Sequence, residues 1–180
     1  MWKKSLLIIG LSVLMIGQVN AQDLSMGPQV GYYRVQDADE GSFLGGAALR
    51  MKLAKSFGVE ASINYRQENY VNNALTVRSW PIMVTGLIYA LPIVYGAIGF
   101  GWYNTTLDYN QNMFTYLKDE TTQKVGWHFG GGVELPVGSN SKLSGDIRYV
   151  FLNYDFKEIP GSSAVNSNFY VITIGYLFGL

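Results

Sequence analysis

Between Phe57 and Arg66 the chain alternates without a break. Phe57, Val59, Ala61, Ile63 and Tyr65 are apolar, whereas Gly58, Glu60, Ser62, Asn64 and Arg66 are small or polar. An extended strand sorts residues this way because successive side chains point to opposite faces, and a helix would mix the two sets. The pattern recurs. Trp127, Phe129, Gly131, Val133 and Leu135 oppose His128, Gly130, Gly132 and Glu134, and Leu143, Ile147, Tyr149 and Phe151 oppose Ser144, Asp146 and Arg148. At the end of the chain Tyr170, Ile172, Ile174, Tyr176, Phe178 and Leu180 oppose Val171, Thr173 and Gly175. Such segments demand a sheet with one apolar and one polar face.

The two faces have two possible environments. A lipocalin-like soluble barrel turns its apolar rows inward, whereas a membrane barrel turns them to lipid and lines its interior with the polar rows. Only 14% of residues are charged, against about a quarter in a water-soluble domain. The apolar rows therefore face lipid. Strands are predicted near 25–35, 42–53, 57–67, 77–89, 92–103, 123–135, 143–156 and 168–179, an all-β, eight-stranded antiparallel up-and-down transmembrane β-barrel. Lys55-Ser56, Leu91-Pro92 and Pro136–Lys142 read as compact turns. The connections 68–76, 104–122 and 157–167 are longer and polar, as expected of periplasmic turns and extracellular loops. An even strand count leaves both termini periplasmic.

Ile82–Trp102 carries no charge and is long enough for a membrane helix. Pro92 near its middle, four glycines and many β-branched and aromatic residues instead predict a hairpin. Tyr32, Trp80, Tyr95, Trp102, Trp127, Tyr149, Tyr154 and Tyr176 are expected to form the two interfacial girdles.

Met1-Trp2-Lys3-Lys4, the apolar run Leu6–Gly17 and Val19-Asn20-Ala21 read as a secretory signal peptide over residues 1–21, leaving one barrel domain over 22–180. Loss of Lys3 and Lys4 takes the 13 basic residues to 11 against 13 acidic ones, a mature charge of −2. No polybasic field calls for nucleic acid. The absence of cysteine removes disulfides, thiol catalysis and Cys-based metal sites, and no cofactor is implied.

Trp127-His128-Phe129-Gly130-Gly131-Gly132-Val133-Glu134-Leu135, Gly145-Asp146-Ile147-Arg148-Tyr149 and Thr173–Leu180 together resemble the outer-membrane β-barrel domain family, the small OmpA- and OmpX-like barrels of Gram-negative bacteria. The resemblance covers nearly all of the mature chain. It implies residence in the outer membrane, contact with its lipid and lipopolysaccharide, and delivery by the barrel assembly machinery. Gly175, Phe178 and Leu180 stand where the family carries its assembly signal, although Ile174 replaces a commonly polar residue and Leu180 the usual terminal Phe. The peptidoglycan-binding domain of larger OmpA relatives is not expected.

The predicted interior collects Arg50, Lys52, Arg66 and Arg148 against Glu60, Glu134 and Asp146. In a barrel of about eight strands side chains can fill the lumen, so these ions are expected to pair as a structural network. A narrow ion-conducting path is the alternative. His128, the only histidine, is expected inward beside Glu134. It raises a lipid A-modifying enzyme as a further alternative, but no serine stands at the spacing the deacylase pattern requires, and no catalytic residue is assigned. Asp37-Ala38-Asp39-Glu40-Gly41 lacks EF-hand spacing and predicts a solvated loop, with no metal site. Gly96, Gly99 and Gly101 read as lumen-row glycines, and no helix follows to make them a phosphate loop. The expected role is non-enzymatic, in envelope integrity or surface interaction. Asn104–Thr122, with Tyr109, Phe114 and Tyr116, is the foremost candidate for recognition of an unknown surface ligand.

Overall fold

The computed structural model describes residues 24–36, 41–70, 75–109, 120–152 and 168–180. Its strands are β1 (Leu24–Val35), β2 (Ser42–Ala54), β3 (Phe57–Tyr70), β4 (Leu75–Leu91), β5 (Val94–Tyr109), β6 (Glu120–Val137), β7 (Ser141–Phe151) and β8 (Phe169–Gly179). Each pairs antiparallel with its successor. The pairing of β1 with β8, from Ser25–Gly179 to Val35–Phe169, closes an eight-stranded barrel. Closure leaves no sheet edge within the bilayer, so backbone polar groups are satisfied without water. The predicted leader 1–21, Asp37–Glu40, Phe114, Tyr116 and Tyr154 lie outside the described residues.

Ile82–Trp102 is the β4–β5 hairpin, turning at Pro92 and Ile93. Proline also leaves a trace in the ladders. The β3–β4 register passes from Ile63–Ile82 to Arg66–Ser79, skipping Pro81, and the β1–β8 register passes from Met26–Phe178 to Gln29–Gly175, skipping Pro28. A residue without an N–H cannot donate to the next strand, and both strands pass through on their remaining bonds.

Alternate burial runs through the barrel wall. Ile98, Trp127, Phe129, Ile147, Ile172 and Ile174 are exposed on the outside, while Arg50, Glu60, His128, Glu134, Asp146 and Arg148 are buried inside. Two glycines on the inner rows are required by close strand approach. A Cβ on Gly130 would stand 2.0 Å from the Ile147 carbonyl oxygen, and one on Gly99 would stand 2.1 Å from that of Val84 and 2.8 Å from His128 Nε2. Gly101 also faces inward, but Gly96 lies on the outer row, correcting its assignment to the lumen.

The expected loop 104–122 is partly strand, because β5 continues to Tyr109 and β6 begins at Glu120. The sequence hides this because the outer face changes character there. Beyond Trp80, Trp102 and Val125 it is polar, with Arg78 paired to Asp108, Gln123 Nε2 donating to Asn104 Oδ1 at 2.6 Å, and the Thr106 and Thr121 hydroxyls 3.0 Å apart. Strands β4, β5 and β6 have 17, 16 and 18 residues, whereas β7 and β8 have 11 each. About 9–11 residues cross a bilayer. The surplus raises a polar sheet past the lipid boundary. Strand β7 ends at Phe151 rather than at 156, and residues 153–156 lie outside the described residues.

Candidate functional site

The barrel interior is the most developed polar site. Residue 60 is inward by the strand's parity, and its carboxylate is the keystone of an ion network. Glu60 Oε2 accepts from Arg50 Nε at 3.0 Å and from Arg50 Nη2, while Glu60 Oε1 accepts from Arg148 Nη2 at 2.7 Å. Arg50 reaches across the lumen to Glu134 Oε2 at 2.8 Å. Arg148 Nη2 donates to Asp146 Oδ2 at 3.1 Å, and its Nε lies 2.9 Å from Asp146 Oδ1 as an ion pair. Charge-assisted contacts of this kind satisfy groups whose unpaired burial would be strongly unfavourable.

Two tyrosines extend the network. Tyr95 donates to Asp146 Oδ2 at 3.1 Å and accepts from Arg50 Nη2 at 3.2 Å, and Tyr89 donates to Glu134 Oε2 at 3.1 Å. Tyr95 is only 2% exposed, so its expected place in an interfacial girdle is corrected to the lumen. Of the other expected girdle residues, Tyr32, Trp80, Trp102, Trp127 and Tyr176 are exposed on the outer face, and Tyr149 is partly exposed.

His128 is not beside Glu134. Its Nε2 lies 2.9 Å from Thr85 Oγ1, which also accepts from Arg148 Nη1 at 3.0 Å. The hydroxyl can therefore donate its own proton to the imidazole, and His128 joins the network through Thr85. Burial of the ring is complete, and Nδ1 has no hydrogen-bond partner among the described residues. No serine hydroxyl bonds to His128 among the described residues.

Arg66 stands apart from the ion pairs among the described residues. Its guanidinium lies 4.4 Å from the Tyr33 ring centroid and 4.8 Å from that of Phe169, a cation–π clamp. Lys142 takes its place among the cations. Lys52 and Lys142 reach Glu134 Oε1 at 2.8 and 3.4 Å.

The lumen is also layered. Towards the loop end, Tyr33, Leu44, Met83, Tyr103, Val150, Leu152, Phe169 and Val171 pack as one apolar cluster. Strand alternation alone predicts a polar interior throughout, but the inner rows change composition along the axis. A charged layer and an apolar cluster fill the bore at successive levels, with Ser62, Asn64 and Arg66 carrying the polar row of β3 along one side towards the cluster.

The sequence profile of the family described as outer membrane protein beta-barrel domain matches residues 6–178. No curated protein sequence matches the chain. Among solved structures, Neisserial surface protein A is similar, with a TM-score of 0.63 at 11% identity over 87% of this chain and 96% of that one. A major outer membrane protein from Thermus thermophilus has a TM-score of 0.60 at 14% identity, over 86% of this chain and 98% of that one. The N-terminal β-barrel domain of Pseudomonas aeruginosa OprF has a TM-score of 0.56 at 12% identity, over 86% and 96%.

Proposed function

Because this chain belongs to the outer membrane protein beta-barrel domain family and resides in the outer membrane, we propose that it is a non-enzymatic, non-conducting barrel that holds a recognition surface above the lipid. The observation that carries this reading is the filled lumen, in which the Arg50–Glu60–Arg148 layer and the apolar cluster around Tyr103 and Val150 stand in series. A conducting path needs a continuous wetted bore, and a buried ion network joined to an apolar layer is its opposite. The polar sheet of β4, β5 and β6 supports the surface-interaction half of the proposal, because it carries a rigid scaffold of paired strands past the lipid boundary.

Purified barrel in a planar bilayer is expected to give no steady single-channel conductance. A reproducible open level would overturn the reading in favour of a narrow channel. Replacing the connection between Tyr109 and Glu120 by a short Gly-Ser link is expected to leave the host's detergent resistance unchanged while reducing binding to its surface partner. A loss of resistance with the barrel still assembled would instead favour envelope integrity.

The non-enzymatic part has its own test. His128→Ala is expected to leave the host's lipid A mass spectrum unchanged. Its cost in stability should be about 1–3 kcal/mol, through the lost bond to Thr85. A lipid A species lost in a variant that still shows the heat-dependent gel shift of a folded barrel would reinstate the enzyme.

A further inference from the structure

We propose that the cleft between the β2–β3 and β4–β5 turns binds the phosphate of a phospholipid headgroup in the leaflet surrounding the turns. The cleft has a volume of about 720 Å³ and includes Lys52, Lys55, Ser56, Tyr89, Leu91 and Pro92 in its lining. Its shape is built by the fold. The β2–β3 ladder shifts register between Lys52 and Ala54, and the β4–β5 ladder between Tyr89 and Leu91. Such irregularities bend strands and open a rim. The Tyr89 N–H donates to the Ser56 carbonyl at 2.9 Å and ties the two turns together.

Positive charge is in excess at this mouth. Glu134 already takes Lys52 and Lys142 on Oε1, and Arg50 and the Tyr89 hydroxyl on Oε2. Lys52 lies 4.2 Å from the Tyr89 ring centroid and keeps 22% of its side chain exposed. An ammonium carries three donors, so the exposed side of Lys52 can serve another anion. Lys55 is exposed on the rim and has no ion-pair partner among the described residues. The filled lumen beyond Lys52 and Glu134 stops a ligand from going deeper.

Depth in the membrane selects the source of the phosphate. The outer wall stays apolar up to the turns, where Leu91 is 59%, Ile93 42% and Phe57 41% exposed. These side chains belong at the edge of the hydrocarbon, which puts Lys52 and Lys55 at headgroup level. Leu91 and Pro92 then offer an apolar wall to the glycerol and upper acyl carbons. A free phosphate ion would use the lysines and leave that wall without a role.

The test uses the barrel in a neutral detergent, titrated with phosphatidylglycerol and read by native mass spectrometry. One retained lipid per barrel is expected. Lys55→Gln should weaken its retention about fivefold, the effect of one lysine near an anionic headgroup, and Lys52→Gln should also weaken it. Arg34→Gln, at the opposite end of the barrel, should change nothing. Lys55 takes no part in the lumen network, so its variant keeps the folded gel mobility and isolates binding from assembly. Unchanged retention in folded Lys55→Gln would overturn the proposal. So would displacement of the lipid by inorganic phosphate at equal concentration, which would assign the site to free phosphate.

Discussion

Glu60→Ala is expected to destabilise the folded barrel by about 3–5 kcal/mol, the range for breaking a buried charge network by removing one partner. The Glu60 carboxylate bridges Arg50 and Arg148, and all three side chains are almost completely buried. Without it, Arg50 retains Glu134 and Arg148 retains Asp146. Four network cations, Arg50, Lys52, Lys142 and Arg148, would then share two carboxylates. Urea titration of the barrel in lipid vesicles, followed by tryptophan fluorescence, reads the loss directly. A second variant separates charge from shape. Replacing Arg50, Glu60, Asp146 and Arg148 together by Met, Leu, Leu and Met removes Glu60, both cations it compensates and the carboxylate that Arg148 would leave unpaired, while Glu134 keeps Lys52 and Lys142; it should recover much of the stability lost by Glu60→Ala alone. A Glu60→Ala barrel within about 1 kcal/mol of the parent would show that water enters the lumen and screens the arginines.

Ile174→Arg tests the opposite face. Ile174 is 57% exposed on the outer row of β8, with Tyr170 four residues to one side and Phe178 four to the other. Mid-strand placement between aromatic residues puts it near the bilayer centre, where arginine on the lipid face of a barrel costs about 2–4 kcal/mol. The expected outcome is a loss of that size in vesicles. The neighbouring Thr173 faces the lumen, so Thr173→Val should behave as an interior substitution and show little dependence on bilayer thickness. If Ile174→Arg proved neutral in vesicles, this stretch of β8 would not be lipid-facing.

The legible part of the fold is the part governed by local period. In β3, β6, β7 and β8 the two rows differ in chemistry, so each side chain can be assigned a face without knowing its neighbours. Between Val94 and Phe100 both rows are apolar or glycine, and the period carries no contrast. Tyr95 is therefore indistinguishable from an outward girdle residue until pairing fixes its parity. Lys142 escapes a sequence reading for another reason. It falls within the expected turn Pro136–Lys142, but β7 begins at Ser141, which places residue 142 in the inward series.

The faces of β3, β6, β7 and β8 and the turns at Lys55-Ser56 and Leu91-Pro92 follow from the amino-acid order alone, because each depends on residues within a few positions of one another. The partners inside the lumen do not. Arg50 meets Glu134 from 84 residues away, and Arg148 meets Glu60 from 88. Which inward residues share a level is set by the stagger of strands around the closed sheet, a property of the whole barrel. Closure also decides that Arg66 rests on the rings of Tyr33 and Phe169 while Lys142 joins the carboxylates, and that His128 faces Thr85. Where the two rows of a strand differ in chemistry, local order determines which way a side chain points, and only the closed tertiary structure determines what it finds there.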